Sequence, residues 1–500
     1  MSSDLQAVRE VWATRSRART GGEILYLLYV GLLSVLIFGL PALRSAGNAL
    51  ARPDVLPWLR AADSGTWVVA GALAVAGALV MLGAVRGPAL LAPFFTATLA
   101  SSRIRRRDVL WRPLLRALLV PLLGSVVLAA LVGATLVSAG SATAAAVVWA
   151  VPAAVGTGLL LGCAWMVGEV LPAVPRRLTA AALLLAAVLC AVLPVLAGPG
   201  ALLAADVPVA ARSLCLLAAG LLGLAVSIPS LDRIRGQVLA EQSTRWETAA
   251  TIATTGDMVG ASGMFRSPPS AGRRLSAVGG GPLAVVFARR DAVAWLRSPE
   301  RLVIGIGLGL TSAVALAASG LVTGPVAWTL ALLGGAALWA ASGVFVDGIR
   351  HGVHTLGAPP LFGPAAGEQV LLQALAPTVM LSVLAVLGGA VPGLLSGAEA
   401  PGGALLPLAL VPVLVAGRAR DAAKGPMPLI LITPMPTPQG DMAVLPMLAW
   451  QSDAILLALV ATAVLVVLVP HGIGAVLVGT LTMTVLTALM AVRRLRALRD

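Results

Sequence analysis

The sequence predicts an all-α, polytopic integral membrane protein of about 12 transmembrane helices, arranged as two pseudo-repeated six-helix halves. Three observations predict it. Hydrophobic residues make up 59% of the chain and charged residues only 11%, with a mean hydropathy of +0.96. A soluble protein carries about 25% charged residues. The apolar residues come in continuous runs of about 13 to 25, close to the length a bilayer requires. Such runs lack the strict alternation of barrel strands, so the backbone must satisfy its own hydrogen bonds as helices. One long polar stretch, 229–300, interrupts the pattern. It leaves about six runs on either side.

The net charge of +14 reports topology rather than affinity for nucleic acid. With the N-terminus in the cytoplasm, every one of the 35 Lys and Arg residues except Arg44, Arg52, Arg60 and Arg212 falls in or beside a cytoplasmic segment. This is the positive-inside pattern. It places both termini in the cytoplasm. It makes membrane lipid a partner and nucleic acid none. Cys163, Cys190 and Cys215 lie inside apolar runs and read as small buried hydrophobes. The polar, basic start and the long run after it argue against a cleavable signal peptide.

In chain order, the first half occupies 1–228. Residues 4–20 form an amphipathic surface helix, with Val8, Val11 and Trp12 on one face and Arg9, Arg15, Arg17 and Arg19 toward headgroups. Spans follow at about 24–40, 67–85, 113–137, 144–167, 178–196 and 209–228. Between the second and third lies an inner segment that starts Arg86-Gly87-Pro88. It continues as a short interfacial helix near Pro93-Phe94-Phe95 and ends in a basic elbow. Residues 229–286 form a cytoplasmic linker, helical to about 255 and then rich in Gly, Ser and Pro, a flexible composition. The second half, 287–500, opens with its own surface helix, where Arg290-Asp291 with Trp295 repeats Arg9-Glu10 with Trp12. Its spans lie at about 302–322, 326–346, 370–391, 404–416, 454–469 and 473–492, the fourth of them short. The Pro-rich loop 417–452 is expected against the membrane. Leu114-Leu115-Arg116-Ala117-Leu118 and Leu371-Leu372-Gln373-Ala374-Leu375 open the third span of each half. This positional echo fits a parallel internal repeat.

The motifs narrow the function. The chain contains no GxxxxGK[ST] loop, and its only lysine, Lys424, sits in Ala-Lys-Gly-Pro-Met. An ATP-hydrolysing enzyme is therefore not expected, nor a cofactor on this chain. Glu23, Glu169 and Asp347 lie near span ends, whereas ion-coupled carriers usually bury an ionisable group near the midplane. Transport would then be energised by another protein. Asp347, His351 and His354 share a helical face and are weak metal candidates, with a polar interfacial face the plainer reading. Gly305, Gly307 and Gly309 read as helix-packing positions. Asp54 and Asp63 in the first external loop are the residues a polyprenyl-phosphate glycosyltransferase would use, though neither has an adjacent acidic partner.

Taken together, the pattern resembles the membrane-spanning permease subunit of type-2 ATP-binding-cassette (ABC) exporters, in a form with both halves fused and an actinobacterial-like composition. In each half an elbow helix is followed by two spans, an inner segment and four further spans. The resemblance implies a bacterial plasma membrane and an ATP-binding-cassette ATPase partner, a dimer that holds ATP and Mg. It implies that inner segments 87–107 and 348–367 act as coupling helices. Arg103, Arg105, Arg106, Arg107, Arg350, His351 and Phe362 would lie nearest the ATPase, and Arg9, Trp12, Arg290 and Trp295 would mark the elbow helices. A cavity lined by Leu, Val and Ala would suit hydrophobic or amphiphilic cargo. The alternatives are an autonomous 12-span secondary transporter and, behind it, the glycosyltransferase.

Overall fold

The structure, a computed structural model, describes residues 21–498 apart from 54, 61–63, 103, 193–208, 255–257, 267–270, 273, 357–364, 397–402, 426, 432, 434–435, 438–439 and 442–443. Among the described residues the chain is helical, except for turns and a two-residue pairing of Pro436–Thr437 with Gly440–Asp441. Eleven of the described helices are long and apolar enough to cross a membrane. The chain is an all-α, multi-pass membrane protein. It divides into two compact units between Thr244 and Arg245.

In the first unit, α1 (Gly21–Ser34) runs through a π-helical turn, Val35–Gly39, into α2 (Leu40–Leu50), and α3 (Leu56–Arg60) follows. The first span thus continues as helix well past the expected end near residue 40, the π-helical turn, closed by the Leu40 amide on the Val35 carbonyl, carrying the chain into α2 at Pro41. Then come α4 (Ser64–Val85), the short α5 (Pro93–Ser101) and α6 (Arg106–Ser138). They are followed by α7 (Ala144–Val170), α8 (Ala173–Val192) and α9 (Val209–Ser230), and α10 (Gly236–Thr254) begins in this unit and runs past its end at Thr244. Pro93 opens α5, and the Thr143 hydroxyl caps α7 by accepting from the Ala146 amide at 3.3 Å. Helix α7 is the centre of this unit, packing on α4, α6 and α9, while α4 also meets α8 and α2 meets α6. On the outer face of α6, Leu119, Val120, Leu123, Val127 and Leu128 stay exposed, as lipid contact requires.

Lipid tails are as apolar as leucine, so close packing rather than water exclusion must hold the helices together. The glycines show where. A Cβ on Gly156 would lie 2.3 Å from the Leu216 carbonyl oxygen, and one on Gly168 would lie 2.1 Å from that of Val80. At these two points α7 touches α9 and α4 backbone to backbone.

The second unit holds α11 (Met258–Gly263), α12 (Leu283–Arg297), α13 (Pro299–Ala318), α14 (Gly324–Phe345), α15 (Asp347–His354) and α16 (Ala366–Ser396). After these come α17 (Leu405–Ala422), α18 (Val444–Leu468) and α19 (Ile473–Ala497). Helix α17 is its centre, packing on α14, α16, α18 and α19; α13 meets α14 and α16, and α14 meets α18. The pairings α4 with α7 and α8, α6 with α7, α7 with α9 and α2 with α6 thus recur as α14 with α17 and α18, α16 with α17, α17 with α19 and α13 with α16. Of the three glycines singled out on α13, Gly305 would meet Val344 and Gly309 would meet Leu384, whereas Gly307 faces open space.

Two expectations change. The short span expected at 404–416 is helix α17, but it is buried along most of its length. Arg418, Arg420 and Asp421 fall within its 18 residues, so it is not among the eleven. The loop expected at 417–452 is helical at both ends, since α17 runs to Ala422 and α18 begins at Val444. Between α18 and α19 the reversal is made at Gly472, whose φ of 92° is open to glycine at little cost.

Candidate functional site

The buried charged and amide side chains, Glu169, Gln242, Asp291, Gln373 and Arg418, gather where the second span of each unit ends. Helix C-termini leave carbonyls without intrahelical donors and carry partial negative charge, so donors and cations belong there. In the first unit the end of α4 is held by groups from two later helices. Trp165 on α7 donates its indole N–H to the Arg86 carbonyl at 2.7 Å. Gln242 on α10 donates to the carbonyls of Gly83 and Ala84 at 3.2 and 3.1 Å, and accepts from the Gly87 amide at 3.3 Å. Ser243 donates to Leu91 O at 2.6 Å. Leu231, Ile234 and Leu239 are buried in one cluster with Ala89 and Leu99 of the inner segment and with Leu110 and Met166. The start of the polar stretch, expected as part of a linker, is packed onto the segment that follows the second span.

The carboxylate of Glu169, in the last turn of α7, is pressed against Gly87, where a Cβ would lie 2.0 Å from its Cδ. Glu169 is 5% exposed. Its oxygens lie toward the Ala89 amide without reaching normal hydrogen-bond geometry.

The second unit builds the corresponding place differently. At the end of α14, Arg301 donates to Gly343 O at 2.8 Å, and Arg350 donates to the same carbonyl at 3.4 Å. Arg418, from the central helix α17, donates to Trp339 O and to Ser342 Oγ, and stacks 3.6 Å from the Trp339 ring centre. Trp295 on α12 donates to Phe345 O at 3.2 Å and meets the Phe345 ring edge-on. Asp347 is gripped by Arg301, by Arg266 at 3.1 Å and by Arg350 at 3.4 Å. Burial alone would raise its pKa, but the hydrogen bond and charge of Arg301, with the charges of Arg266 and Arg350, hold the carboxyl below its ordinary value.

Here too a buried carboxylate meets a glycine just beyond the second span. A Cβ on Gly348 would lie 2.5 Å from Asp291 Oδ1. Burial pushes Asp291 up to about 6, against the opposing charge and hydrogen bond of Arg290. The fully buried Gln373 amide, turned to satisfy both neighbours, donates to Gly348 O at 2.8 Å and accepts from Arg290 at 3.3 Å.

The residues singled out from sequence divide as follows. Arg9, Trp12, Asp54, Asp63, Arg103 and Phe362 lie outside the described residues. Arg105 is exposed, and Arg107 pairs with Asp232, its amide donating to Oδ1 at 3.0 Å. Arg106 lines an open cleft of about 710 Å³ with Arg233, Arg235 and Gln237. Arg350 is half-buried in the Asp347 network, and His351 and His354 are exposed. Because arginines hold Asp347, it does not turn to these histidines, and no metal-ligand group forms among the described residues. Arg290 pairs with Asp291, and Trp295 bonds the Phe345 carbonyl. Sequence reading missed Trp165, Gln242 and Gln373. The only signal for Trp165 and Gln373 was a lone Trp or Gln in an apolar run, and Gln242, in a polar stretch, had none.

What this arrangement supplies is mechanical and electrostatic. The last turn of a membrane helix and the segment after it are tied to distant helices by short, buried bonds. No protein-family model, curated protein or solved structure matches the chain.

Proposed function

We propose that the chain is the membrane-spanning subunit of an ABC transporter in a bacterial plasma membrane, an exporter of hydrophobic or amphiphilic substrate. A separate ATP-binding-cassette ATPase dimer, carrying ATP and Mg, would drive it. One observation carries the reading. In both units the segment following the second span is held at its first residues by side chains of other helices: by Trp165 and Gln242, with Glu169 packed on Gly87, in one case, and by Arg301 on Asp347 and Gln373 on Gly348, with Asp291 packed on Gly348, in the other. A push on either segment would reach the bundle without being lost in flexible chain, which is what an external motor needs. Arg105, Arg106 and Arg107 in the first unit and Arg350 and His351 in the second are the side chains that would lie nearest that motor. The N-terminal elbow residues Arg9 and Trp12 and the position of Phe362 belong to the same proposal.

The test is affinity purification of the tagged chain from its own cells in mild detergent, followed by mass spectrometry. A stoichiometric partner with a GxxxxGK[ST] loop supports the reading, and a chain that purifies alone in several detergents contradicts it. Glu169, a buried carboxylate at the end of a span, is the observation that favours the second reading, an autonomous secondary transporter. Proton-gradient-driven uptake by the chain alone in liposomes would select that reading.

A further inference from the structure

Arg420 near the end of α17, Lys424 just after it and Arg494 near the end of α19 converge on a single carboxylate, Asp453 on α18. The N···O distances are 2.8, 2.5 and 3.0 Å. Among the described residues this one carboxylate faces all three cations and can neutralise one of them. The side chains of Arg420 and Lys424 are only 13% and 10% exposed, so water screens the excess poorly. The Nε and Nη1 atoms of Arg420 are buried and have no hydrogen-bond partner among the described residues. Buried donors of this kind are costly unless an acceptor meets them. The nearest other carboxylate on α17, Asp421, faces Arg418 at 3.9 Å instead. Trp450 completes the site. Its carbonyl accepts from Lys424, and its ring lies 4.9 Å from that ammonium and 5.8 Å from the Arg494 guanidinium.

The position narrows the ligand. Helices α18 and α19 are both membrane-crossing by length and composition, and the cluster sits where their basic-side ends meet. Tryptophan beside cations at that depth is characteristic of the headgroup layer, and basic pockets between helices on that side suit anionic headgroups. We infer that this cluster binds the phosphate of an anionic ligand, with an anionic phospholipid headgroup in the cytoplasmic leaflet as the source its position favours. The inference does not depend on the transporter reading.

Native mass spectrometry of the full chain in neutral detergent tests it. The chain is titrated with phosphatidylglycerol, with zwitterionic phosphatidylcholine, and with inorganic phosphate as competitor. Phosphatidylglycerol is expected to be retained about tenfold over phosphatidylcholine, and the preference to fall about fivefold for each of Arg420→Gln, Lys424→Gln and Arg494→Gln. The exposed control Arg493→Gln/Arg496→Gln should keep it. Competition by phosphate at low millimolar concentration would support the same site with a soluble anion as its source. Equal retention of the two lipids, or equal loss in the control, overturns the proposal. Hydrogen exchange on the wild-type chain decides the case where variants do not fold. Phosphatidylglycerol should protect 420–425, 448–455 and 490–496 more than phosphatidylcholine does, and no difference between the lipids overturns the site.

Discussion

Removing the Asp347 carboxylate should be among the most damaging single changes on the basic side of the second unit. Asp347→Ala leaves Arg266, Arg301 and Arg350 facing one another without their shared anion. Breaking a fully buried pair costs about 3–5 kcal/mol, and an exposed pair is worth about 0–1 kcal/mol. Asp347 is 29% exposed, and Arg301 and Arg350 are 31% and 19% exposed, so the cost should fall between, at about 2–3 kcal/mol. For a unit of this size that corresponds to about 5–10 °C in melting temperature, read by near-UV circular dichroism in detergent. The pH dependence adds a second signature. Because the folded pKa of Asp347 lies below its ordinary 3.8, its stabilisation is complete above that value and is lost as pH falls through the folded pKa. The variant should lack this acid limb. A melting temperature within about 1 °C of wild type, with the acid limb unchanged, would refute the reasoning.

Three further outcomes are expected. Gln242→Ala strands two carbonyls and an amide at the end of α4; it should destabilise by about 1–3 kcal/mol and speed hydrogen exchange across 83–91. Gly156→Leu forces α7 away from α9, since even a Cβ would lie 2.3 Å from Leu216 O, so size-exclusion chromatography should show aggregation. Gly307→Leu, which faces open space, should elute as wild type does. Asp291→Asn removes a carboxyl whose folded pKa is raised from 3.8 to about 6. The folded state therefore holds a proton longer than the unfolded one, and wild-type stability falls as pH rises through that window. The variant should gain up to about 3 kcal/mol above pH 6 and nothing below pH 4, measured as melting temperature against pH.

The membrane class was legible because it rests on composition and run length, which no tertiary detail can hide. The short helix α5 after the second span and the helix α12 ahead of the second unit's spans were legible as punctuation between apolar runs. What stayed hidden is set by contacts between residues far apart in sequence. Leu231, Ile234 and Gln242 sit in a stretch polar enough to read as linker, yet they meet a segment about 150 residues earlier. The end of the span at 404–416 was placed before Arg418 because a charge usually marks an interface. In the fold Arg418 is buried, with the Trp339 carbonyl, the Ser342 hydroxyl and the Trp339 ring of α14 taking the place of solvent. Asp347, His351 and His354 share a helical face, but spacing alone does not reveal that Arg301, 46 residues away, claims the carboxylate.

If the two inner segments pass force from an ATPase to the helix bundle, as proposed, both must touch the same partner protein. Site-specific photo-crosslinking tests it most directly, with a photoreactive residue placed at Arg106 or at His351 in the chain expressed in its own cells. The account predicts that both positions crosslink to the same protein, one bearing a GxxxxGK[ST] loop, and that crosslinking changes when ATP is withheld. Crosslinks to lipid alone from both positions, with no protein captured, would contradict it.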